Sequence, residues 1–224
     1  AKQIRLFPDF VEFEAVMRGG LSRIHLPIPG GFTIYNALAA ICCGVALGLK
    51  LPRIAETLRT AGGVKGRIEV VPVPAAYTVL IDYAHTPNAL ENILMTAREF
   101  TAGQLICLFG CGGDRDRSKR PIMGRIASAL ADVCIVTSDN PRTEPPEAIM
   151  ADILEGMGKP DGERLITEPD RRKAIRRGLS LAKAGDVLVL AGKGHETYQE
   201  VCGVKYHLDE REEVENYFRS RTKG

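Results

Sequence analysis

From residue 66 onward, short apolar runs alternate with longer amphipathic stretches. The runs Ile68–Val73, Thr78–Ile81, Leu105–Phe109, Val133–Thr137, Arg164–Ile166 and Val187–Leu190 predict strands. The stretches Pro87–Phe100, Pro121–Ala131, Pro146–Met157 and Arg171–Ala184 predict the helices between them. Strands this apolar are buried on both faces, so the pattern predicts an α/β fold with a mostly parallel sheet and helices on both sides. The last stretch, Tyr198 to Arg221, predicts a small hairpin around Gly203 and a closing helix.

The first 66 residues read differently. FVEFEAVM and SRIHLPIP alternate in part and predict short strands, with Gly19-Gly20 as the turn between them. Phe32 to Leu49 is rich in Ala and Leu and predicts a buried helix. Pro52 opens a shorter helix, PRIAETLRTA, which Gly62-Gly63 ends. This run shows no evident partner sheet of its own. With no starting Met, it reads as the tail of a domain in a longer protein.

Composition narrows the class. Lys+Arg number 30 against Asp+Glu 28, a balance that argues against nucleic acid as a bulk electrostatic partner. No apolar run reaches the roughly 18–20 residues of a membrane span, and AKQIRLFPDF lacks a signal-peptide core. The six cysteines form no Cys-x-x-Cys pair and match no zinc spacing, so they predict reduced, mostly buried thiols.

Parallel sheets place ligands at the carboxyl ends of their strands. Four loops fall there: DYAHTP, FGCGGDRDRSKR, TSDNPRTEP and AGKGHETYQ. Asp82 ends a strand, where a carboxylate can accept from a ribose diol. His85 is either a proton shuttle or a loop donor. Gly110, Gly112 and Gly113 permit close backbone approach, and Arg115, Arg117, Lys119 and Arg120 supply cations that Asp114 and Asp116 can orient. The loop is an anion site or a solvated charged turn. Arg142 can hold a carboxylate or phosphate through two parallel bonds, while Asn140-Pro141 also suits a plain turn. Gly192-Lys193-Gly194-His195 is not a Walker A loop, and none occurs in the chain. That segment reads as a Gly-rich turn with a ligand-facing Glu196. The basic run RRKAIRR reads as the solvated face of a helix whose Ala174, Ile175, Leu179 and Leu181 face the sheet. His25 and His207 carry no functional reading.

In chain order, LPIPGGFTIYNALAA, GVKGRIEVV, IDYAHTPNAL, FGCGGDRDRSKRPIMG, TSDNPRTEPP, EPDRRKAI and AGKGHETYQ resemble the Mur ligases of peptidoglycan synthesis. The resemblance covers nearly the whole chain. It implies that residues 1–66 are the end of a central ATPase domain and residues 67–224 a Rossmann-like amino-acid-binding domain. The UDP-binding domain, the Walker A loop and the family's metal-site lysine would then lie outside this chain, with no metal ligand within it.

The implied activity is ATP-dependent amide formation in the bacterial cytoplasm. Meso-diaminopimelate would be joined to UDP-N-acetylmuramoyl-L-alanyl-D-glutamate through an acyl phosphate, with Mg²⁺ as the metal. By resemblance, Asn36, Arg67 and Asp82 belong to the ATP site. Only Asn36 carries over from the family's Asn-x-x-Asn adenine motif, which stands here as Thr33-Ile34-Tyr35-Asn36. Arg115, Asp139, Asn140, Arg142, Gly192 and Glu196 match positions around meso-diaminopimelate. No proton-transfer residue is implied; His85 is the weak candidate. The competing readings are a non-catalytic amino-acid-binding module and a folylpolyglutamate synthetase-like ligase, against which the DNPR and GKGHE motifs argue.

Overall fold

The computed structural model describes residues 1–18, 20–158 and 164–221. The chain divides into two compact units, Ala1–Val64 and Lys65–Gly224.

The first unit has a sheet after all. Strands β1 (Lys2–Leu6), β2 (Val11–Met17) and β3 (Gly20–Leu26) form a three-stranded antiparallel meander. Lys2–Leu6 escaped the hydrophobic pattern because the strand is mostly exposed. Gly20 opens β3, whereas the Gly19 half of the expected turn lies outside the described residues. Val11, Phe13 and Ala15 alternate onto one face of β2, where they pack with Ile24 and Leu26. Helices α1 (Gly31–Ala46) and α2 (Leu51–Leu58) cover that face through Ile34, Ala37, Ile41, Ile54 and Ala55.

The expectation of a buried α1 needs correction. Only Thr33, Ile34, Ala37 and Ile41 of α1 are buried, while Tyr35 is 76% exposed. Its apolar composition hid an ordinary one-sided helix. Cys42 and Cys43 are exposed with it, as is Cys202, so only Cys107, Cys111 and Cys134 are buried. Burial pushes the Cys111 and Cys134 thiols up to about 12, which keeps them protonated and unreactive.

The second unit holds a six-stranded sheet. In chain order its elements are β4 (Glu69–Val71), β5 (Thr78–Asp82), α3 (Pro87–Arg98), β6 (Leu105–Phe109), α4 (Lys119–Leu130), β7 (Val133–Thr137), α5 (Pro146–Leu154), β8 (Leu165–Glu168), α6 (Arg171–Leu181) and β9 (Val187–Ala191). The spatial order is β4-β5-β9-β6-β7-β8. All neighbours pair in parallel except β4, which runs antiparallel along the β5 edge.

Alternate residues of these strands enter two cores. Leu105, Cys107, Phe109, Val187 and Val189 pack under α3, α4 and α5 through Leu90, Leu94, Met123, Ala127 and Ile153. Ile106, Leu108, Ile135, Leu188 and Leu190 pack under α6 through Ala174, Ile175 and Leu179. Val214 of α7 (Glu210–Arg221) joins this second core. Between β9 and α7 lies the antiparallel hairpin of β10 (Tyr198–Val201) and β11 (Val204–His207).

The helix starts follow local chemistry. Thr86 caps α3, accepting from the Ala89 amide, and Asp170 caps α6, accepting from the Arg172 and Lys173 amides. Strand β9 lies between β5 and β6, so α6 carries the chain back from the outer strand β8 to the middle of the sheet. The loops after β6, β7 and β9 therefore converge at one carboxyl edge, as at the switch point of other open α/β sheets.

Candidate functional site

The loops after β6 and β7 interlock through glycines. The Gly113 amide donates to the Asn140 carbonyl at 2.9 Å. A Cβ on Gly113 would lie 1.9 Å from the Pro141 carbonyl oxygen, and one on Gly110 would lie 2.2 Å from that of Thr137. Only glycine permits these approaches. Asp114 accepts from the Thr143 amide and hydroxyl, and Asp116 accepts from Ser118. Neither orients the arginines as expected; Asp114 ties the β6 loop to the β7 loop, and Asp116 closes a turn of its own loop.

The cations of the β6 loop divide in the same way. Arg120 is fully buried and bonds Glu144 and Asp152 at 2.8–2.9 Å. Arg117 reaches Asp152 at 3.2 Å, and Lys119 donates to the His85 carbonyl at 2.7 Å. The Arg120 guanidinium beside it holds the Glu144 carboxyl down at about 2. These three cations are therefore internal partners rather than free anion donors. Arg115 is exposed and, among the described residues, bonds only the neighbouring Asp114 carbonyl, at 3.3 Å.

Arg142 and Arg115 meet over Gly112. A Cβ there would lie 3.0 Å from Arg142 Nη1 and 3.8 Å from the Arg115 side chain. Arg142 has a left-handed φ of 52°. Its Nη1 donates to the Gly113 carbonyl at 2.8 Å, and its Nε lies 3.3 Å from Glu200. Its amide donates to the Glu200 carbonyl and its carbonyl accepts from the Cys202 amide, fastening the β7 loop to the hairpin.

The β9 loop supplies the centre of the site. Lys193 is fully buried. Its Nζ donates to Asn140 Oδ1 at 3.0 Å and Glu196 Oε2 at 3.0 Å, and lies 3.4 Å from Asp139 Oδ1. Asn140 Nδ2 donates to the same Glu196 oxygen at 2.9 Å, and Asn140 Oδ1 also accepts from the Glu200 amide. Gln199 braces this loop from the hairpin by donating to the Asp139 carbonyl at 2.7 Å. Gly192 has a φ of 114°, and a Cβ there would lie 3.0 Å from Asp139 Oδ2. Asp139, Asn140, Gly192 and Glu196, four of the residues singled out in the sequence, thus gather around Lys193. Lysine in that position carried no sequence signal beyond its two flanking glycines.

A third buried cation, Arg171, fixes the strand ends beneath these loops. Arg171 bonds Glu210 of α7 at 2.7 Å and donates to the carbonyls of Ser138 and Ala191. The basic run RRKAIRR is therefore not simply a solvated face. Arg171 is sealed inside, and Arg172 and Arg176 both pair with Glu213.

Arg67 and Asp82 meet at the neighbouring corner. Asp82 is 7% exposed and accepts from the Ile68 amide at 2.8 Å. Burial pushes its carboxyl up, against the pull of the Ile68 and Ala84 amides and the Arg67 charge. The Arg67 guanidinium lies 5.2 Å from the centre of the Tyr83 ring, which His85 and His195 flank at 4.6 and 5.0 Å. His85 is exposed and its Nδ1 is 2.8 Å from the Tyr83 carbonyl oxygen. Asn36 is an exposed residue of α1 in the first unit. Among the described residues, no group of three or more His, Cys, Asp or Glu side chains could hold a metal ion.

Residues 66–194 match the family described as Mur ligase, glutamate ligase domain. The chain belongs to the Mur ligase family. It is 48% identical over 212 residues to the UDP-N-acetylmuramoyl-L-alanyl-D-glutamate--2,6-diaminopimelate ligase of Clostridioides difficile (strain 630). That alignment covers 95% of this chain and 44% of the relative. The enzyme of the same name from Thermosynechococcus vestitus is 50% identical over 206 residues, covering 91% of this chain and 41% of its own. A solved structure of a ligase of that name superposes with a TM-score of 0.80 at 37% identity, covering 99% of this chain and 45% of the other. The chain thus spans less than half the length of these Mur ligases. Among its described residues, no helix is long and apolar enough to cross a membrane.

Proposed function

We propose that this chain is the amino-acid-binding part of an ATP-dependent Mur ligase that adds meso-diaminopimelate to UDP-N-acetylmuramoyl-L-alanyl-D-glutamate in the bacterial cytoplasm. Residues 1–66 would complete a central ATPase domain, and residues 67–224 would form the C-terminal domain. The observation that carries this reading is the gathering of Asp139, Asn140, Gly192 and Glu196 at the carboxyl edge, with Arg142 on the same loop. The identity to diaminopimelate-adding relatives supports it.

Meso-diaminopimelate differs from lysine by a carboxylate on its distal carbon. Arg142 and Asn140 would receive that carboxylate, Arg115 would add positive charge, and Glu196 would pair with the ammonium on the same carbon. Lysine would leave the guanidinium without its acceptor, which is the stronger form of discrimination. Asp139 and Gly192 would line the same pocket. Asn36, Arg67 and Asp82 would hold ATP, with Asn36 on adenine, Arg67 at the phosphate–ribose region and Asp82 on the ribose.

In the reaction, the D-glutamyl carboxylate takes the γ-phosphoryl group of ATP, releasing ADP. The diaminopimelate amine then attacks the acyl carbonyl, the tetrahedral intermediate collapses, phosphate leaves with the C–O bond pair, and the amine loses a proton. This chain's residues contribute orientation of the amine and compensation of charge at the far end of the amino acid. Mg²⁺ would be a cofactor of the whole ligase, held outside the residues described. Phosphate release by the complete ligase polypeptide tests the reading. It should require ATP, the UDP-linked dipeptide and meso-diaminopimelate together; release unaffected by omitting the amino acid would refute it.

A further inference from the structure

We propose that Lys193 is a positioning residue for amino-acid recognition, acting through Asn140 and Glu196 rather than on the substrate. This rests on the amino-acid site proposed above. Three features single Lys193 out. Its side chain is sealed from solvent, so it offers no surface to a ligand. Its Nζ reaches three side chains on two different loops, Asp139, Asn140 and Glu196. It also lies 5.7 Å from the centre of the Tyr198 ring, which packs over it from the hairpin.

The consequence is geometric. Asn140 has one side-chain oxygen and one nitrogen, and Lys193 settles which points where. With Nζ and the Glu200 amide both donating to Oδ1, Nδ2 must face Glu196. Glu196 Oε2 receives both donors, so one carboxylate oxygen is anchored, and Oε1 has no hydrogen-bond partner among the described residues. Lys193 further separates two carboxylates, Asp139 and Glu196, which would otherwise face each other across a buried site without a countercharge. An ammonium suits this task better than a guanidinium. It is a compact charge whose three donors diverge in space to three side chains, whereas a guanidinium holds its donors in one plane.

The test uses steady-state kinetics of the complete ligase with Lys193→Met and Lys193→Gln. The expected result is a rise in KM for meso-diaminopimelate of about ten- to a hundredfold, the usual loss for hydrogen bonds to charged groups. KM for ATP should stay within about threefold, less than the tenfold that 1.4 kcal/mol represents. Because Lys193 acts through Asn140, adding Lys193→Met to Asn140→Ala should raise KM far less than it does alone. Unchanged KM for meso-diaminopimelate with a lowered melting temperature, or fully additive effects, would overturn the proposal. Failure of both single variants to fold would also overturn it, by assigning the ammonium to the scaffold. Arg142→Ala separates this from failure of the site itself. If it raises KM while Lys193→Met does not, only the role of Lys193 falls; if neither moves KM, the amino-acid site is misplaced.

Discussion

Arg120 and Lys193 are both shut from solvent, and each faces two carboxylates. They do different work. Arg120 spends its fork on Glu144 and Asp152 and adds a bond to the Gly112 carbonyl, tying α4 to α5 and the β6 loop. Lys193 instead fans out to side chains that keep capacity for a ligand, since an anchored carboxylate retains a second oxygen. A guanidinium closed on its partners makes a clamp, and an ammonium beneath polar side chains makes a platform.

The largest expected effect breaks the clamp. Arg120→Met leaves Glu144 and Asp152 without their partner, and removing one member of a buried pair typically costs 3–5 kcal/mol. Glu144 and Asp152 remain 19% and 25% exposed, so solvent recovers part of that. The expected loss is therefore about 3 kcal/mol, the low end of the range. Chemical denaturation measures it, and the surviving folded protein should keep its amino-acid preference. If that preference collapses, the clamp and the platform are one device.

A smaller effect tests where the two meet. Gly113→Ala would set a methyl against the Pro141 carbonyl and should cost about 1–3 kcal/mol, as overpacking does. Gly113 also accepts from Arg142 and donates to Asn140, so this variant should both melt lower and raise KM for the amino acid. A change in melting temperature alone would separate the β6 loop from the site.

The smallest effect is in the pH dependence. Arg120 holds the Glu144 carboxyl at about 2, below its ordinary 4.5, and holds Asp152 below its usual value as well. A depressed carboxyl binds fewer protons folded than unfolded, so its contribution is full above pH 4.5 and is lost as pH falls toward 2. Asp82 is shifted upward and runs the other way, losing stability as pH rises through its titration. Denaturation midpoints between pH 5 and pH 2.5 should fall for the parent chain and flatten for Arg120→Met, in this window around the Glu144 shift. Equal slopes for both would show that Glu144 draws its stabilisation from another group.

Much of the fold was legible in the sequence. Leu105–Phe109 and Val133–Thr137 were located to the residue, because strands buried on both faces are unbroken apolar runs. Lys2–Leu6 was not, since an exposed edge strand leaves almost no pattern. The α1 helix was found but its burial overestimated, because Ala and Leu content cannot reveal which face is covered. In the site, the residues that gather at the carboxyl edge were recognised from family motifs. The residues that organise them, Lys193, Arg171 and Glu210, were not. A charged side chain reads as solvent-facing in a sequence, and only the position of its partners far along the chain reverses that.

The central claim is that the carboxyl-edge loops form an amino-acid site selective for a distal carboxylate. Arg142→Ala in the complete ligase tests it most directly, with KM for meso-diaminopimelate and lysine measured beside a melting curve. Loss of a bond to a charged group is typically worth about 1.5–3 kcal/mol, roughly a ten- to hundredfold drop in discrimination. Arg142→Lys should recover only part of it, because an ammonium lacks the planar fork. A variant that melts lower yet keeps its full preference for meso-diaminopimelate would contradict the account and leave Arg142 as the pin between the β7 loop and the hairpin.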